Sequence, residues 1–141
     1  YVASGLVGAG TFLENVREHG GWTVAGLWVG VFAGTVLTPL LLPVLPGRAF
    51  SMKGGVAGFM AALAFLAVFF LRSGRMDNGF TCLASLLLIP AIASFLALEF
   101  TGASTYTSLS GVKKEMRLAV PLQIVAAVSG VLLLILTGRL P

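Results

Sequence analysis

The side chains with chemical reach are few, and most fall in one stretch, Phe100-Thr-Gly-Ala-Ser-Thr-Tyr-Thr-Ser-Leu-Ser-Gly-Val-Lys-Lys-Glu-Met-Arg117. Seven hydroxyl side chains lie between Thr101 and Ser110, including Thr101, Ser104, Tyr106 and Ser108, and Gly102 and Gly111 permit tight turns. A segment this polar cannot lie bare in hydrocarbon. It reads as a structured interfacial loop or as a re-entrant turn covered by protein. Ser108 or Ser110 can cap the helix that follows. Lys113, Lys114 and Arg117 then fall in the first turns of that helix, where they oppose its dipole. Their stems can snorkel toward the headgroups, and attraction to anionic lipid or to an acidic partner accounts for them. A plainer reading is a basic loop that only orients the chain, although so many hydroxyls exceed what orientation needs. A second loop, Leu45-Pro-Gly-Arg-Ala-Phe-Ser-Met-Lys-Gly54, carries the turn signal Pro46-Gly47 and sets Arg48 and Lys53 about the apolar pair Ala49-Phe50. The chemistry on offer is binding. Arg48, Lys53, Thr101, Ser104, Tyr106, Ser108, Lys113, Lys114 and Arg117 together would make a basic, hydroxyl-rich docking surface.

Little else is reactive. HExxH, GxSxG, Walker A and Gly-rich dinucleotide turns are all absent from the sequence. Cys82 is the single cysteine, so no intrachain disulfide and no Cys/His metal framework can form. Its thiol could take a soft metal, but only Thr81 and Ser85 lie within helical reach, and buried single cysteines mostly behave as small hydrophobes. His19, the only histidine, sits in Glu18-His19-Gly20-Gly21, which reads as a turn. A pH role is open to it, and so is a place in an ordinary interfacial loop. Glu99, at the end of an apolar window, either pairs with Lys113, Lys114 or Arg117 or simply reaches interfacial water.

The elements that must position these residues follow from composition. The chain has 141 residues, 57% hydrophobic and 10% charged, with nine Lys and Arg against five Asp and Glu. Soluble domains run near 45–50% apolar and about 25% charged. A mean hydropathy of +1.01 agrees that this is an integral membrane protein. The net charge of +4 is too small to indicate nucleic acid. No signal peptide is evident. The apolar start at Tyr1 suggests a piece of a longer chain, cut inside a hydrophobic segment.

Charge-free windows predict an all-α, polytopic transmembrane bundle of about five helices, at about 1–16, 22–42, 54–72, 78–99 and 113–138. The first is truncated, since Tyr1–Leu13 reaches only about 20 Å of a roughly 30 Å core. Pro39, Pro43 and Pro46 should end the second helix, and Pro90 should kink the fourth. Five Lys and Arg fall in the 45–54 and 100–117 loops and the helix starts beside them, against four elsewhere. That excess leans toward the two loops facing the cytoplasm. Gly26, Gly30 and Gly34 form two overlapping GxxxG steps on one helical face. They suit close packing, either within one bundle or between subunits of a homo-oligomer.

The two marked loops, with the continuation Val120-Pro-Leu-Gln123, resemble the C-terminal membrane domain of the HgcA family, the mercury-methylation corrinoid proteins. The order of helices is similar over most of the chain, but the specific likeness is in those two segments. The resemblance implies a cytoplasmic corrinoid-binding domain joined to a five-helix domain in the inner (cytoplasmic) membrane. It also implies a ferredoxin partner, HgcB, that carries [4Fe–4S] clusters. In that family the cobalt of the cobalamin-type corrinoid, ligated by a cap-helix cysteine, passes a methyl group to Hg(II).

The cap-helix motif of Asn-x-Trp-Cys type is not in these residues, nor is any αβ pattern that could bind a corrinoid. Cys82 cannot be matched to the cobalt ligand. No catalytic, cofactor or metal residue therefore transfers; the scaffold and its loops do. The expectation is a membrane anchor that holds a methyl-carrying domain and its ferredoxin at the lipid surface. The alternatives are a small transporter or channel subunit, or a structural subunit of a membrane redox complex.

Overall fold

The computed structural model describes the backbone over residues 12–44, 49–73, 79–102 and 109–137, and side chains over 21–44, 49–72, 79–100 and 113–136. Every long element among them is a helix. α1 (Phe12–Phe32) passes through a π-helical turn (Ala33–Leu37) into the short α2 (Thr38–Leu41), followed by α3 (Phe50–Ser73), α4 (Gly79–Gly102) and α5 (Leu109–Thr137). Among the described residues, four stretches are long and apolar enough to cross a membrane: Gly21–Leu41, Phe50–Arg72, Gly79–Phe100 and Lys113–Leu136. The chain is thus an all-α bundle of membrane-spanning type.

The first boundary departs from expectation. Residues 12–16 are the opening of α1, and the helix runs unbroken through Glu18-His19-Gly20-Gly21, where a turn was expected. Residues 1–11, most of the expected truncated helix, lie outside the described residues. The reason is local chemistry. Glycine costs a helix interior about 1 kcal/mol against alanine but keeps its N–H, and no proline interrupts Phe12–Phe32.

Pro39 does not end its helix either. The backbone N–H and the hydroxyl of Thr38 both donate to the Ala33 carbonyl, the hydroxyl at 2.8 Å, which closes a wide turn just before the proline. Pro39 then falls at the opening of α2, where a missing N–H costs nothing. The chain closes with Val44 N–H donating to Leu41 O at 2.9 Å. The other helices also outrun their expected limits. α3 starts at Phe50 rather than 54, so half of the 45–54 loop is helical, and α4 and α5 extend to Gly102 and from Leu109. Ser110 therefore lies inside α5 and is not its cap.

α4 is the hub. α1, the π-helical turn, α3 and α5 all pack against it. Its facing side is built of small residues, with Ala84 and Ala93 wholly buried. Glycines meet it from neighbouring helices: a Cβ on Gly34 would stand 3.0 Å from Ala93 Cα, and one on Gly58 would stand 2.7 Å from both Ala93 Cβ and Pro90 Cα. Such close backbone approach is how helices associate where lipid offers no hydrophobic drive. At the far end Trp22 of α1 sits edge-on to Phe69 of α3, ring centroids 4.6 Å apart. The outer faces carry exposed large apolar residues, Trp28, Leu71, Leu118 and Leu122 among them. A water-soluble monomer does not tolerate a surface of that kind. α5 is the outermost span, with only 11% of its apolar window buried.

Candidate functional site

α3 and α5 both lean on α4 and leave a groove between them, tied shut at one end. There the backbone N–H and the hydroxyl of Ser51, at the start of α3, both donate to Glu115 Oε1 of α5 at 2.6 Å. The relay continues inward. Ser94 Oγ of α4 donates to the Ser51 carbonyl at 2.8 Å. Gln123 Nε2 of α5 donates to Ser94 Oγ at 2.8 Å. Ser51, Ser94 and Gln123 are all buried, so this is a polar thread through an apolar bundle. Ser94 gives its one proton to a carbonyl and accepts from the amide NH₂ of Gln123. Gln123 Oε1 is therefore left as a buried acceptor without a partner. Orphans of this kind are uncommon and call for a cause.

The groove has a volume of about 1150 Å³. Lys114 and Glu115 stand at its polar end, and apolar side chains such as Phe59, Met60, Leu86 and Ala126 line the rest. The arrangement holds and binds. The Ser94 hydroxyl is committed to a carbonyl, and its other partner is the Gln123 amide, which cannot act as a base to activate it.

The structure places only part of the expected docking surface. Arg48, Ser104, Tyr106 and Ser108 lie outside the described residues; Thr101 is in the last turn of α4. Lys53 is not a free cation of that surface. Its Nζ donates to the Leu42 carbonyl at 2.9 Å, closing the end of the preceding helix. Lys113, Lys114 and Arg117 are exposed in the first turns of α5. Glu99 is exposed at the end of α4, and the carboxylate that joins the two marked segments is Glu115 instead. Gly26, Gly30 and Gly34 face neighbours in the same chain: Phe65 for the first, Ile92 for the second, Ala93 and Leu96 for the third.

No family model, curated protein or solved structure matches the chain. The site must be read from its own residues.

Cys82 is a free, half-buried thiol in α4, and no cluster of three His, Cys, Asp or Glu occurs among the described residues. Ser94 and Gln123 are site residues that no motif in the sequence marks, although Gln123 closes the Val120-Pro-Leu-Gln123 continuation. The available signal was the type of residue: Gln123 is the chain's only glutamine and lies inside a charge-free window. An amide in hydrocarbon must find partners.

Proposed function

We propose that this bundle is the membrane anchor of a corrinoid-dependent methyltransferase that passes a methyl group to Hg(II). In this reading it holds the corrinoid-binding domain of the same parent chain, and the ferredoxin HgcB, at the cytoplasmic face of the inner membrane. One observation carries the reading. The two segments that resemble the HgcA family, 45–54 and 100–117, are clasped to each other by Ser51 and Glu115, 64 positions apart. The clasp sets the starts of α3 and α5 side by side, where a neighbouring domain can engage both. The exposed Lys113, Lys114 and Arg117 give that end its positive charge. An acidic partner such as a ferredoxin is drawn to it at long range.

Anchoring does its work through effective concentration. Two partners held on one surface meet as an intramolecular event, and avidity gains of 10²–10⁴ need no new contact. The methyl chemistry belongs to the cobalt corrinoid and its own domain. These helices supply position and a low-dielectric floor beneath it.

The test is biochemical. Full-length protein purified from membranes should carry a corrinoid, visible in its absorption spectrum, and should form methylmercury from Hg(II) when reduced ferredoxin is supplied. Protein that inserts as a bundle but carries no corrinoid and forms no methylmercury would contradict the reading.

A further inference from the structure

We propose that the groove between α3 and α5 holds one anionic phospholipid, of the phosphatidylglycerol type, with its phosphate at Lys114 and its chains against Leu118 and Leu122. The site goes beyond the anchoring reading and does not rest on it. Among the described residues that line the groove, Lys114 is the only cation. Leu118, Leu122 and Ala126 follow it at four-residue steps on one side of α5, and all three line the groove. Lys114, Leu118 and Leu122 are exposed, as are Phe59 and Met60 on the α3 wall, so the groove opens sideways to the bilayer. A charged head above an apolar row is the outline of a phospholipid.

Depth along the membrane agrees. No charge follows Arg117 before Arg139, so the hydrocarbon begins near Leu118. Lys114 stands one turn earlier, about 6 Å along the axis of α5, at the level of the headgroups. From Leu118 to Ala126 the groove descends about 12 Å. One leaflet supplies about 15 Å of hydrocarbon, half of a roughly 30 Å core. The groove thus stays within a single leaflet and takes chains of its depth. At about 1150 Å³ it exceeds the roughly 300–1,000 Å³ of small-molecule sites.

Charge selects the head. The start of α5 sets three exposed cations, Lys113, Lys114 and Arg117, against the one carboxylate of Glu115. That carboxylate is turned to α3, where its Oε1 accepts from both donors of Ser51. The excess is positive and complements a phosphodiester. A phosphocholine head would bring its own ammonium beside Lys114 and lose part of that attraction. A free phosphate ion would leave the apolar row bare. The unpartnered Gln123 Oε1 is closed off behind the wall and takes no part.

The experiment uses full-length protein in nanodiscs of dioleoylphosphatidylcholine containing a few per cent of dioleoylphosphatidylglycerol, which has the same chains. Lipid that stays on the protein is counted by native mass spectrometry and divided by its share of the disc. Neither Hg(II) nor ferredoxin is present, so a failure here is distinct from a failure of the anchoring account. The anionic lipid should be retained about fivefold better than the zwitterionic one, at one lipid per chain. K114Q should bring the two close to parity. K113Q/R117Q removes more charge but none from the groove, and should keep most of the preference. A126W, which fills the deep end, should lower retention of the anionic lipid. Equal retention of the two lipids by the unaltered protein would overturn the proposal, and that comparison needs no variant to fold. A preference that survives K114Q but not K113Q/R117Q would overturn it by moving the contact outside the groove. Displacement of the lipid by millimolar glycerophosphoglycerol, the head without chains, would overturn it in favour of a simple anion site. A stable dimer that retains no lipid would overturn it by giving the groove to a helix of a second copy.

Discussion

Ser51 and Glu115 are joined twice. The backbone N–H and the hydroxyl of Ser51 converge on one carboxylate oxygen at 2.6 Å, and that oxygen is the link from the start of α3 to the start of α5. Elsewhere these two helices meet only across a groove. α4, on which both helices pack, sets their spacing along most of their length, and the clasp ties their starts directly to each other.

Removing the carboxylate should cost more than removing the hydroxyl. E115A discards both hydrogen bonds, and bonds to a charged acceptor are worth about 1.5–3 kcal/mol each at most. S51A keeps the backbone bond and should lose about half as much. E115Q keeps an acceptor without its charge and should fall between. Unfolding titrations in mixed detergent give the order; equal stability of E115A and the parent protein would show that the clasp does not hold the helices.

The glycine contacts on α4 predict opposite signs for one kind of substitution. A Cβ on Gly58 would stand 2.7 Å from Ala93 Cβ and from the backbone of Pro90. Backbone cannot yield as a side chain can, so G58A should destabilise by about 1–3 kcal/mol. Gly21 has nothing within 4 Å of its added Cβ, so G21A should stabilise α1 by about 0.5–1 kcal/mol. The same unfolding titration reads both.

Much of this architecture was legible in the sequence, for a physical reason. Lipid demands long charge-free runs, and each of the four spans contains one, with charges only near the ends of three of them. Their ends were less legible, because glycine weakens a helix without stopping it and a proline can be absorbed by a wider turn. Gly20-Gly21 and Pro39 show each case. The site was harder still. Ser51 and Glu115 lay inside the two marked segments, but nothing local said that they touch. Ser94 and Gln123 belong to no local motif, and only the packing of three helices puts them in line. Lys53 looked like a docking cation, yet it serves the Leu42 carbonyl.

Cys82 should be dispensable. Its thiol is half-buried on α4, and no metal-ligating cluster accompanies it among the described residues. C82A should leave Hg(II)-dependent methylation by the full-length protein nearly intact at equal expression. A large loss would show that the bundle itself handles the metal.

The sidedness of the two segments is testable in the same background. In C82A protein, cysteines placed at Lys113 and Met52 should react with an impermeant maleimide from one side of the membrane, the side on which we propose the corrinoid domain lies. A cysteine at Arg72, exposed at the other end of α3, should react from the other side. Labelling of Lys113 and Met52 positions from opposite sides would contradict this pairing of the two segments.

The most direct test of the anchoring account is methylmercury formed per inserted molecule by membranes carrying full-length K113Q/K114Q/R117Q protein. Exposed interface charges are worth about 0.2–1 kcal/mol each, so ferredoxin binding should weaken by about 3- to 150-fold and methylation should fall with it at limiting ferredoxin, while insertion is unchanged. Methylation at the parent rate, across ferredoxin concentrations and at equal insertion, would contradict the account.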